Sequence, residues 1–521
     1  MAIRYADAAA IADTGDGTTT NPSDAVHGPY KTINHALHGS NHISSGDTLK
    51  IHTGTYSGEN TAGSGWLEFD DQNSVTNFTR YDNDTENPVI IGLGFSAGGS
   101  ETHNVYIGYP TVPDAKMTFT NITFQAPSEG AKDQAVTLVS GGVTFTNCVF
   151  TAVPTVAGMD SLLLNSASTA MAPITFTGCT FNATTPTATN QKAHGAIIPP
   201  GSGKITNLVT FSGCTISVPG NCFWLVPSVQ GDLRNVTITD CTATTLQALG
   251  YTVPSCYALN VNRVNRTSTA DTLTISGSTF SSPTQAAQFI STQGIAISNC
   301  TFIASNTVVV FGSEQIGLTG TVSGTMSNCV VKAIGNSLGH GVLIGYTANS
   351  VAVDHLYCTA YDDAVVLKNC TNCSVTNSLC YCSLSSSGGT IYMKGCNGCS
   401  FTNSLVAVTG MAALQVSEGA EHDKATNNIF TGNTIVVAGT GFAYDVAPLG
   451  FSTDLSGTLN VNNNKFYFLG ATTDYGTLGT SQTHIATFPS LRTAWGALDS
   501  SLNGNDLGSK NLADSGSSVV K

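Results

Sequence analysis

The chain has 521 residues, of which only 10% are charged, and its formal net charge at pH 7 is −14. An acidic chain without a basic stripe cannot release counterions from phosphates, which excludes nucleic acid as the expected partner. No stretch approaches the ~18 apolar residues of a spanning helix, and the amino terminus lacks the pattern of a classical secretion signal. We therefore expect a soluble protein without a membrane partner.

The first hundred residues predict a cap followed by the first strands. Apolar residues in segment 29–37 recur at i, i+3 and i+4, the spacing of a short one-sided helix. Such a helix would cover the open end of a sheet, whose unpaired strand edge is otherwise adhesive. Segment 46–56 predicts the first strand and segment 88–94 predicts the next.

Further along, the chain repeats a strand, a one-residue corner and a second strand, as in Gly142–Phe150 with its corner at Asn147. The residue two before the corner is apolar, the next is polar, and the residue three after it is usually apolar again. Only Asn, Gly, Asp and His occupy the corner, and these types most readily adopt positive φ. The equivalent positions are Asn121, Asn147, Gly178, Gly213, Asp240, Gly277, Asn299, Asn328, His355, Asn377, Asn403, Gly432 and Asn463. The mean repeat is about 28 residues, which is typical of a solenoid.

A second apolar strand precedes most corners. Examples are segments 135–139, 196–198, 308–311, 342–344, 364–367 and 391–393. Three short strands per repeat, with no helical period between them, predict an all-β parallel β-helix (a solenoid) of about thirteen or more coils. A β-sandwich or propeller is the alternative, but antiparallel folds do not need an unpaired left-handed corner at one fixed column.

The repeat ends near residue 470. Segment 488–498 places apolar residues on one helical face and predicts a second small cap, after which the chain ends in a polar tail. We expect one body in three parts. These are an amino-terminal cap with the first coils (1–100), the parallel β-helix (101–470) and a carboxy-terminal cap and tail (471–521).

The opening of the chain resembles the pectate-lyase-like superfamily of right-handed parallel β-helix proteins. The resemblance is carried by Thr32-Ile-Asn-His-Ala-Leu37, then by Gly46-Asp-Thr48 and Gly54-Thr-Tyr56. It implies a right-handed β-helix, here with short helical caps at both ends. It implies little about activity, because this superfamily contains lyases, hydrolases, epimerases, adhesins and phage tailspikes.

The fifteen cysteines follow the repeat. Six come directly after a corner, so successive coils place them in line about 4.8 Å apart. They are Cys148, Cys179, Cys214, Cys241, Cys300 and Cys329. Stacked thiols suit packing better than disulfides, and many free thiols indicate folding in a reducing compartment. The motifs Cys370–Cys373 and Cys396–Cys399 have zinc-like spacing, but the strand columns also explain it, so we predict neither a metal nor a cofactor.

His340, Asp362 and Asp363 are the most site-like residues. They belong to the tripeptides Gly-His-Gly and Tyr-Asp-Asp, which lie at matching distances from their corners and are therefore predicted on adjacent coils. Carboxylates beside a histidine could divide acid and base roles on a glycosidic bond. Lys368 and Lys394, which share a further column, complete the candidate catalytic set.

Both tripeptides are similar to elements of the polygalacturonase branch, in which an Asp-Asp pair and a Gly-His-Gly lie on neighbouring coils. Their order is reversed here, and the Asn-Thr-Asp and Arg-Ile-Lys elements of that branch are missing. The alternative is that both are entry turns to buried strands. Asp70–Asp71 and Glu421–Asp423 are expected to be polar loop residues.

Three functions remain open. The first is a bacteriophage virion protein, a tail spike, fibre or decoration, that binds host-surface glycans and other virion proteins. The second is a polysaccharide depolymerase, a lyase or glycoside hydrolase, on a virion or secreted. The third is a purely structural capsid or fibre subunit. We favour the first, not necessarily an enzyme, because the thiols are reduced, no secretion signal is visible and almost all of the chain is shaft; the resembling tailspikes imply a homotrimer.

Overall fold

A computed structural model of the protein describes most of the chain in two compact units, Met1–Thr279 (unit one) and Phe280–Lys521 (unit two). The predicted loop pairs Asp70–Asp71 and Glu421–Asp423, and the polar tail, lie outside the described residues. The described residues are 2–39, 42–44, 46–59, 67–69, 77–92, 105–108, 114–126, 134–153, 159–164, 172–184, 193–197, 206–227, 233–246, 256–264, 271–313, 320–335, 339–383, 389–417, 427–446, 459–469, 474–478, 485–498, 505–506 and 509–511.

Unit one contains three sheets, and its paired strands run parallel. The strands of its first sheet are Ile3–Ala6, Thr48–Ile51, Asn77–Arg80, Asp114–Thr120, Gly141–Thr146, Ile174–Thr177, Thr206–Ser212, Leu233–Thr239 and Leu273–Ser276. Those of its second sheet are Leu67–Phe69, Val105–Ile107, Val136–Leu138, Met159–Leu164, Ala193–Ile197, Phe223–Leu225 and Tyr257–Asn262. Those of its third sheet are Thr55–Glu59, Val89–Gly92, Thr123–Gln125, Val149–Ala152, Thr180–Ala183, Thr215–Val218 and Thr242–Thr245.

Unit two has the same three-sheet arrangement. The strands of its first sheet are Ile295–Ser298, Val322–Ser327, Ala348–Asp354, Ser374–Thr376, Ser400–Thr402, Asn428–Thr431 and Leu459–Asn462. Those of its second sheet are Gln285–Ile290, Val309–Phe311, Val342–Ile344, Val365–Lys368, Gly389–Lys394, Ala412–Ser417, Phe442–Val446 and Gly476–Leu478. Those of its third sheet are Thr301–Ala304, Val330–Ala333, Tyr357–Ala360, Leu379–Cys382, Leu405–Val408, Thr434–Ala438, Lys465–Leu469 and Lys510–Asn511. One further strand, Thr279–Ser282, crosses the sequence boundary between the units.

Each unit is therefore a parallel β-helix, and the predicted fold class is confirmed. All thirteen corner residues have φ between +51° and +71°, the left-handed region that Asn and Gly tolerate best. The corner amide also links the coils, because Asn147 donates to the Thr177 carbonyl and Gly178 to the Ser212 carbonyl, each at 2.8 Å. The repeat column thus fixes both the bend of each coil and its register with the next.

The core of unit one is built from aligned phenylalanines. Strand Gly141–Thr146 alternates buried and half-buried residues, so its apolar side chains point inward as the period of two requires. Phe145 stacks on Phe119 and Phe176 with ring centroids 5.2 and 5.0 Å apart. Burial of each such ring contributes about 1.5–3 kcal/mol.

The two predicted helices are confirmed. Helix Ile33–His38 is capped by Thr32, whose hydroxyl accepts the His35 amide at 3.1 Å. Helix Phe488–Leu498 buries Trp495, whose indole donates to Asp506 at 2.8 Å. No described helix has the length and apolar character needed to cross a membrane.

The predicted start of the strand series is wrong. The first strand is Ile3–Ala6, which pairs with Thr48–Ile51, and the segment predicted as one strand is split into Thr48–Ile51 and Thr55–Glu59. Two more strands, Leu67–Phe69 and Asn77–Arg80, come before the strand that was predicted next. The three strands that were missed, Ile3–Ala6, Leu67–Phe69 and Asn77–Arg80, are three or four residues long. They are too short to show a clear alternation, so their pairing and not a local pattern defines them.

Candidate active site

His340 and Asp363 occupy the same column on neighbouring coils of unit two. Strands Val342–Ile344 and Val365–Lys368 pair in register, and each of these residues lies two positions before its strand. The Gly341 amide donates to the Asp363 carbonyl at 2.9 Å. The histidine and the aspartates therefore do lie on adjacent coils, at the entry to buried strands.

The glycines beside His340 allow two coils to approach closely. A Cβ atom on Gly341 would lie 2.2 Å from the Cys358 sulfur, and one on Gly339 would lie 2.6 Å from the backbone carbonyl carbon of Asn306. Neither position can therefore carry a larger residue without displacement of its neighbours. The Gly-x-Gly pattern follows from this packing, and it fixes the backbone from which the imidazole projects.

Asp363 holds His340 from the buried side. Its Oδ2 lies 2.9 Å from His340 Nδ1, and its Oδ1 accepts the Gly389 amide at 3.0 Å. The Asp363 side chain is only 4% exposed, whereas that of His340 is 26% exposed. Because Nδ1 is buried beside this carboxylate, a proton transfer by His340 would use Nε2.

Asp362 adds a second carboxyl group to this pair. It is buried, and one of its oxygens, an imidazole nitrogen of His340 and an oxygen of Asp363 all lie within 4.8 Å of one another. Burial, followed by the charge of Asp363, raises the pKa of Asp362 to about 6, against an opposing effect of His340. A carboxyl group with such a pKa is partly protonated near neutral pH, so it can donate a proton.

The two candidate lysines lie apart from this cluster. Lys368 and Lys394 are paired in register, as their shared column predicted, and their Nζ atoms lie 5.7 and 5.9 Å from the ring centres of Tyr346 and Tyr392. Lys368 is five residues beyond Asp363 along an extended strand, a backbone separation of roughly 16 Å at about 3.3 Å per residue. The structure thus brings the lysines to each other and to tyrosine rings, but not to His340.

Sequence reasoning treated His355 only as a corner residue, yet it forms a second His–Asp pair. Its Nδ1 lies 2.6 Å from Asp354 Oδ2. Asp354 also accepts hydrogen bonds from the Thr376 hydroxyl at 2.7 Å and the Asn377 amide at 2.8 Å. These donors, Thr376 first and then His355 and Asn377, lower the pKa of Asp354 to about 2, so it stays ionised. The adjacent Asp-His letters are the signal that could have revealed it.

Among the described residues, two groups have donor atoms near enough to one another to hold a metal ion. One is the cluster of His340, Asp362 and Asp363, and the other consists of Cys370, Cys373 and Cys399. The first offers nitrogen and oxygen donors and the second only sulfur. The sequence analysis predicted no metal at the cysteine motifs, because their strand columns account for the spacing.

No protein-family model matches the chain, and no curated protein matches it. Similar solved structures include the A-module of the Azotobacter vinelandii mannuronan C-5 epimerase AlgE6. It has 13% identity and a TM-score of 0.33, with 89% of this chain and 90% of that chain covered. A mannuronic acid specific polysaccharide family 6 lyase from human gut microbiota has 10% identity and a TM-score of 0.40, with 84% of each chain covered.

A third similar structure is the Dettilon tailspike protein, with 12% identity and a TM-score of 0.31. This chain is covered over 75% of its length and the tailspike over 59%. The three are parallel β-helix proteins of the classes that the sequence resemblance includes. The fold of this chain rests on its own strand pairing and corner geometry.

Proposed function

We propose that this chain is a glycan-binding parallel β-helix protein that cleaves a polysaccharide by acid–base chemistry at His340, Asp362 and Asp363. One observation carries the proposal: a buried carboxyl group, whose pKa is raised to about 6, lies within 4.8 Å of an imidazole that pairs with a second buried carboxylate. A proton donor and a proton acceptor at one place are what acid–base catalysis requires. The geometry therefore favours the depolymerase over a shaft without chemistry.

Each residue has a distinct role in this proposal. Asp362 donates its proton to the oxygen of the departing sugar, and His340 takes a proton through Nε2, either from the sugar ring or from an attacking water. Asp363 orients the imidazole and stabilises its positive charge, but it does not touch the substrate. Removal from the sugar ring would make the reaction an elimination, and removal from water would make it a hydrolysis.

Cleavage assays on the purified full chain test this proposal. We would incubate it with alginate, polygalacturonate, dextran and bacterial capsular polysaccharides, and measure both new reducing ends and the ultraviolet absorbance of unsaturated sugar ends. Elimination gives both signals and hydrolysis only the first. We expect His340→Ala to lose about 10²–10⁴-fold of kcat/KM on any substrate that the wild type cleaves.

His355→Ala is the matched control, since it removes the imidazole of the other His–Asp pair in the same unit. We expect its cleavage rate to equal that of the wild type, with circular dichroism showing the β-helix in both variants. Equal rates for His340→Ala and the wild type would rule out the assigned base. Tight binding of a glycan without any cleavage would instead favour a purely glycan-binding shaft.

We further propose that the protein is carried on a bacteriophage virion, where it acts on a host-surface glycan beside other virion proteins. All fifteen cysteines are free and buried, which suits folding in a reducing cytoplasm, where such particles assemble. A secreted enzyme is the alternative. Mass spectrometry of purified particles tests this placement: we expect peptides of this chain at constant stoichiometry, and recovery only from the culture medium would contradict it.

A further inference from the structure

The two Cys-x-x-Cys motifs of unit two form paired tight corners on successive coils. A residue with positive φ precedes each of the four cysteines: Asn369 at +51°, Asn372 at +53°, Gly395 at +58° and Gly398 at +65°. Thr371 and Asn397, in the middle of the two motifs, form a parallel bridge, so the motifs lie in register. All four cysteines are at most 1% exposed. The double corner therefore directs two thiols per coil into the interior.

The sulfur atoms converge on Cys399. Its Sγ lies 3.6 Å from that of Cys370, and the sulfurs of Cys370, Cys373 and Cys399 all lie within 4.8 Å of one another. The Cys396 thiol instead donates to Asn428 Oδ1 at 3.6 Å. A tetrahedral zinc ion with Zn–S bonds of about 2.3 Å requires sulfurs roughly 3.8 Å apart. The 3.6 Å between the Cys370 and Cys399 sulfurs is close to that requirement, and the Cys373 sulfur lies within 4.8 Å of both.

Packing alone does not require these thiols. In the preceding coil, Asn349 pairs with Thr371, and its buried neighbours are Ala348 and Val351. Ordinary apolar side chains thus occupy the corresponding corner one coil earlier. The packing of this corner therefore does not account for four cysteines on two consecutive coils.

The next coil supplies an amide that braces the second motif. Asn428 is buried, its Oδ1 accepts the Cys399 amide at 2.9 Å, and its Nδ2 donates to the Cys396 carbonyl at 2.9 Å. The side chain thus fixes the backbone at both cysteines of the motif. Ligands held in this way are already oriented, which lowers the entropic cost of binding an ion.

Unit one provides the contrast. Four of its cysteines, Cys148, Cys179, Cys214 and Cys241, each follow a corner, so each of these corners carries one thiol. Within this row, the Cys214 amide donates to the Cys241 sulfur at 3.4 Å. Among the described cysteines, only Cys370, Cys373 and Cys399 form a closed group of three.

We propose that Cys370, Cys373 and Cys399 form a buried structural site for one thiophilic metal ion of the Zn²⁺ class. The donor set is entirely sulfur, which selects soft or borderline ions over Mg²⁺ and Ca²⁺. Zn–S bonds replace the S–H bonds and the thiol protons leave to solvent. No oxidant or reductant is needed, because zinc keeps its oxidation state. The ion would join two consecutive coils.

Burial determines how the ion must enter. Because the three thiols are inaccessible in the folded unit, the ion should bind while the coils close rather than afterwards. We would unfold the full chain in denaturant with a reductant and a chelator, then refold it with or without zinc sulfate. After removal of free metal, mass spectrometric elemental analysis gives zinc per chain. We expect about one zinc per chain after refolding with zinc, and a higher Tm than without it.

Cys399→Ser is the decisive variant, because Cys399 is the ligand from the second coil and its sulfur lies 3.6 Å from that of Cys370. We expect it to lose the bound zinc, and Cys399→Ala guards against an effect peculiar to serine. Cys241→Ser, in the thiol row of unit one, is the matched control and should keep the zinc. Far-UV circular dichroism must show the β-helix in all three variants.

Two outcomes would overturn the site. One is a wild type that retains no zinc after refolding with it, or that retains as much as Cys399→Ser. The other is a thiol count in denaturant without reductant that falls two short of the fifteen in the sequence, while the Cys370→Ser/Cys399→Ser double variant shows no shortfall from its own smaller number of cysteines. That result would identify a disulfide between the two nearest sulfurs in place of a metal ion.

Discussion

Unit two contains two His–Asp pairs of similar length in very different surroundings. His340 and Asp363 are 2.9 Å apart and His355 and Asp354 are 2.6 Å apart, but the aspartate is 4% exposed in the first pair and 44% exposed in the second. Hydroxyl and amide donors keep Asp354 ionised, whereas Asp362 beside the first pair has its pKa raised to about 6. The comparison teaches that the His–Asp contact does not itself mark a site. Burial and an extra carboxyl group are what set the first pair apart.

The largest expected effect separates the two aspartates. Asp363→Asn removes the charge that orients and stabilises the imidazolium, so we expect kcat/KM to fall by about 10²–10⁴-fold. Asp354→Asn should leave it unchanged, because this carboxylate is exposed and pairs with a corner histidine. Steady-state kinetics on a polysaccharide that the wild type cleaves would compare kcat/KM of the two variants. A comparable loss in both variants would mean that the two pairs are not functionally different.

The pH dependence should show the second difference. Asp362 must hold its proton to act as the acid, and its pKa is raised to about 6. The sign follows directly: the active protonated form predominates below pH 6, and its fraction falls about tenfold per pH unit above it. We therefore expect kcat/KM to fall about 50-fold between pH 6 and pH 8.

Asp362→Asn tests the assignment of that alkaline limb. An amide cannot supply the proton, so the variant should have low activity and no titration near pH 6. Asp354→Asn should keep the wild-type profile. A limb that persists in the residual activity of Asp362→Asn would assign the titration to another group, for example the substrate.

The smallest expected effect concerns His355. It has φ of +52° at a corner that Asn328 and Asn377 occupy in the flanking coils. His355→Asn should therefore change the free energy of unfolding by less than about 0.5 kcal/mol, since Asn tolerates this conformation at least as well. Urea unfolding measures it. A loss above about 1 kcal/mol would show that the imidazole, and not only the corner, stabilises the unit.

Most of the fold could be predicted because one sequence position, the corner residue, recurs along the chain at a similar spacing. The types allowed at Asn147 and its equivalents report the left-handed φ directly, and the alternation beside them reports the strands. Ile3–Ala6 lacked such a column, and its strand exists through pairing with Thr48–Ile51. A sequence shows the local conformational preference of each residue, whereas the pairing partner of a short edge strand is decided by the tertiary structure.

The candidate site was partly predictable for the same reason. Distance from the corner brought His340 and Asp363 together, because that count measures position along a coil. The distance from the corner does not tell how deeply a side chain is buried, so it did not distinguish the buried Asp363 from the exposed Asp354. Nor could the distance from the corner show that the sulfurs of the two motifs converge. This convergence depends on two residues with left-handed φ, three positions apart, in each motif.

The parallel pairing has a kinetic consequence. Each strand bonds to the strand one coil later, as Val149–Ala152 does to Thr180–Ala183, so contacting residues are separated by about one coil however long a unit becomes. The entropy of closing each new loop is therefore constant, and mean contact separation does not grow with chain length. Folding can spread outward from any formed coil, and a whole coil can be inserted or deleted without lengthening the search for the rest.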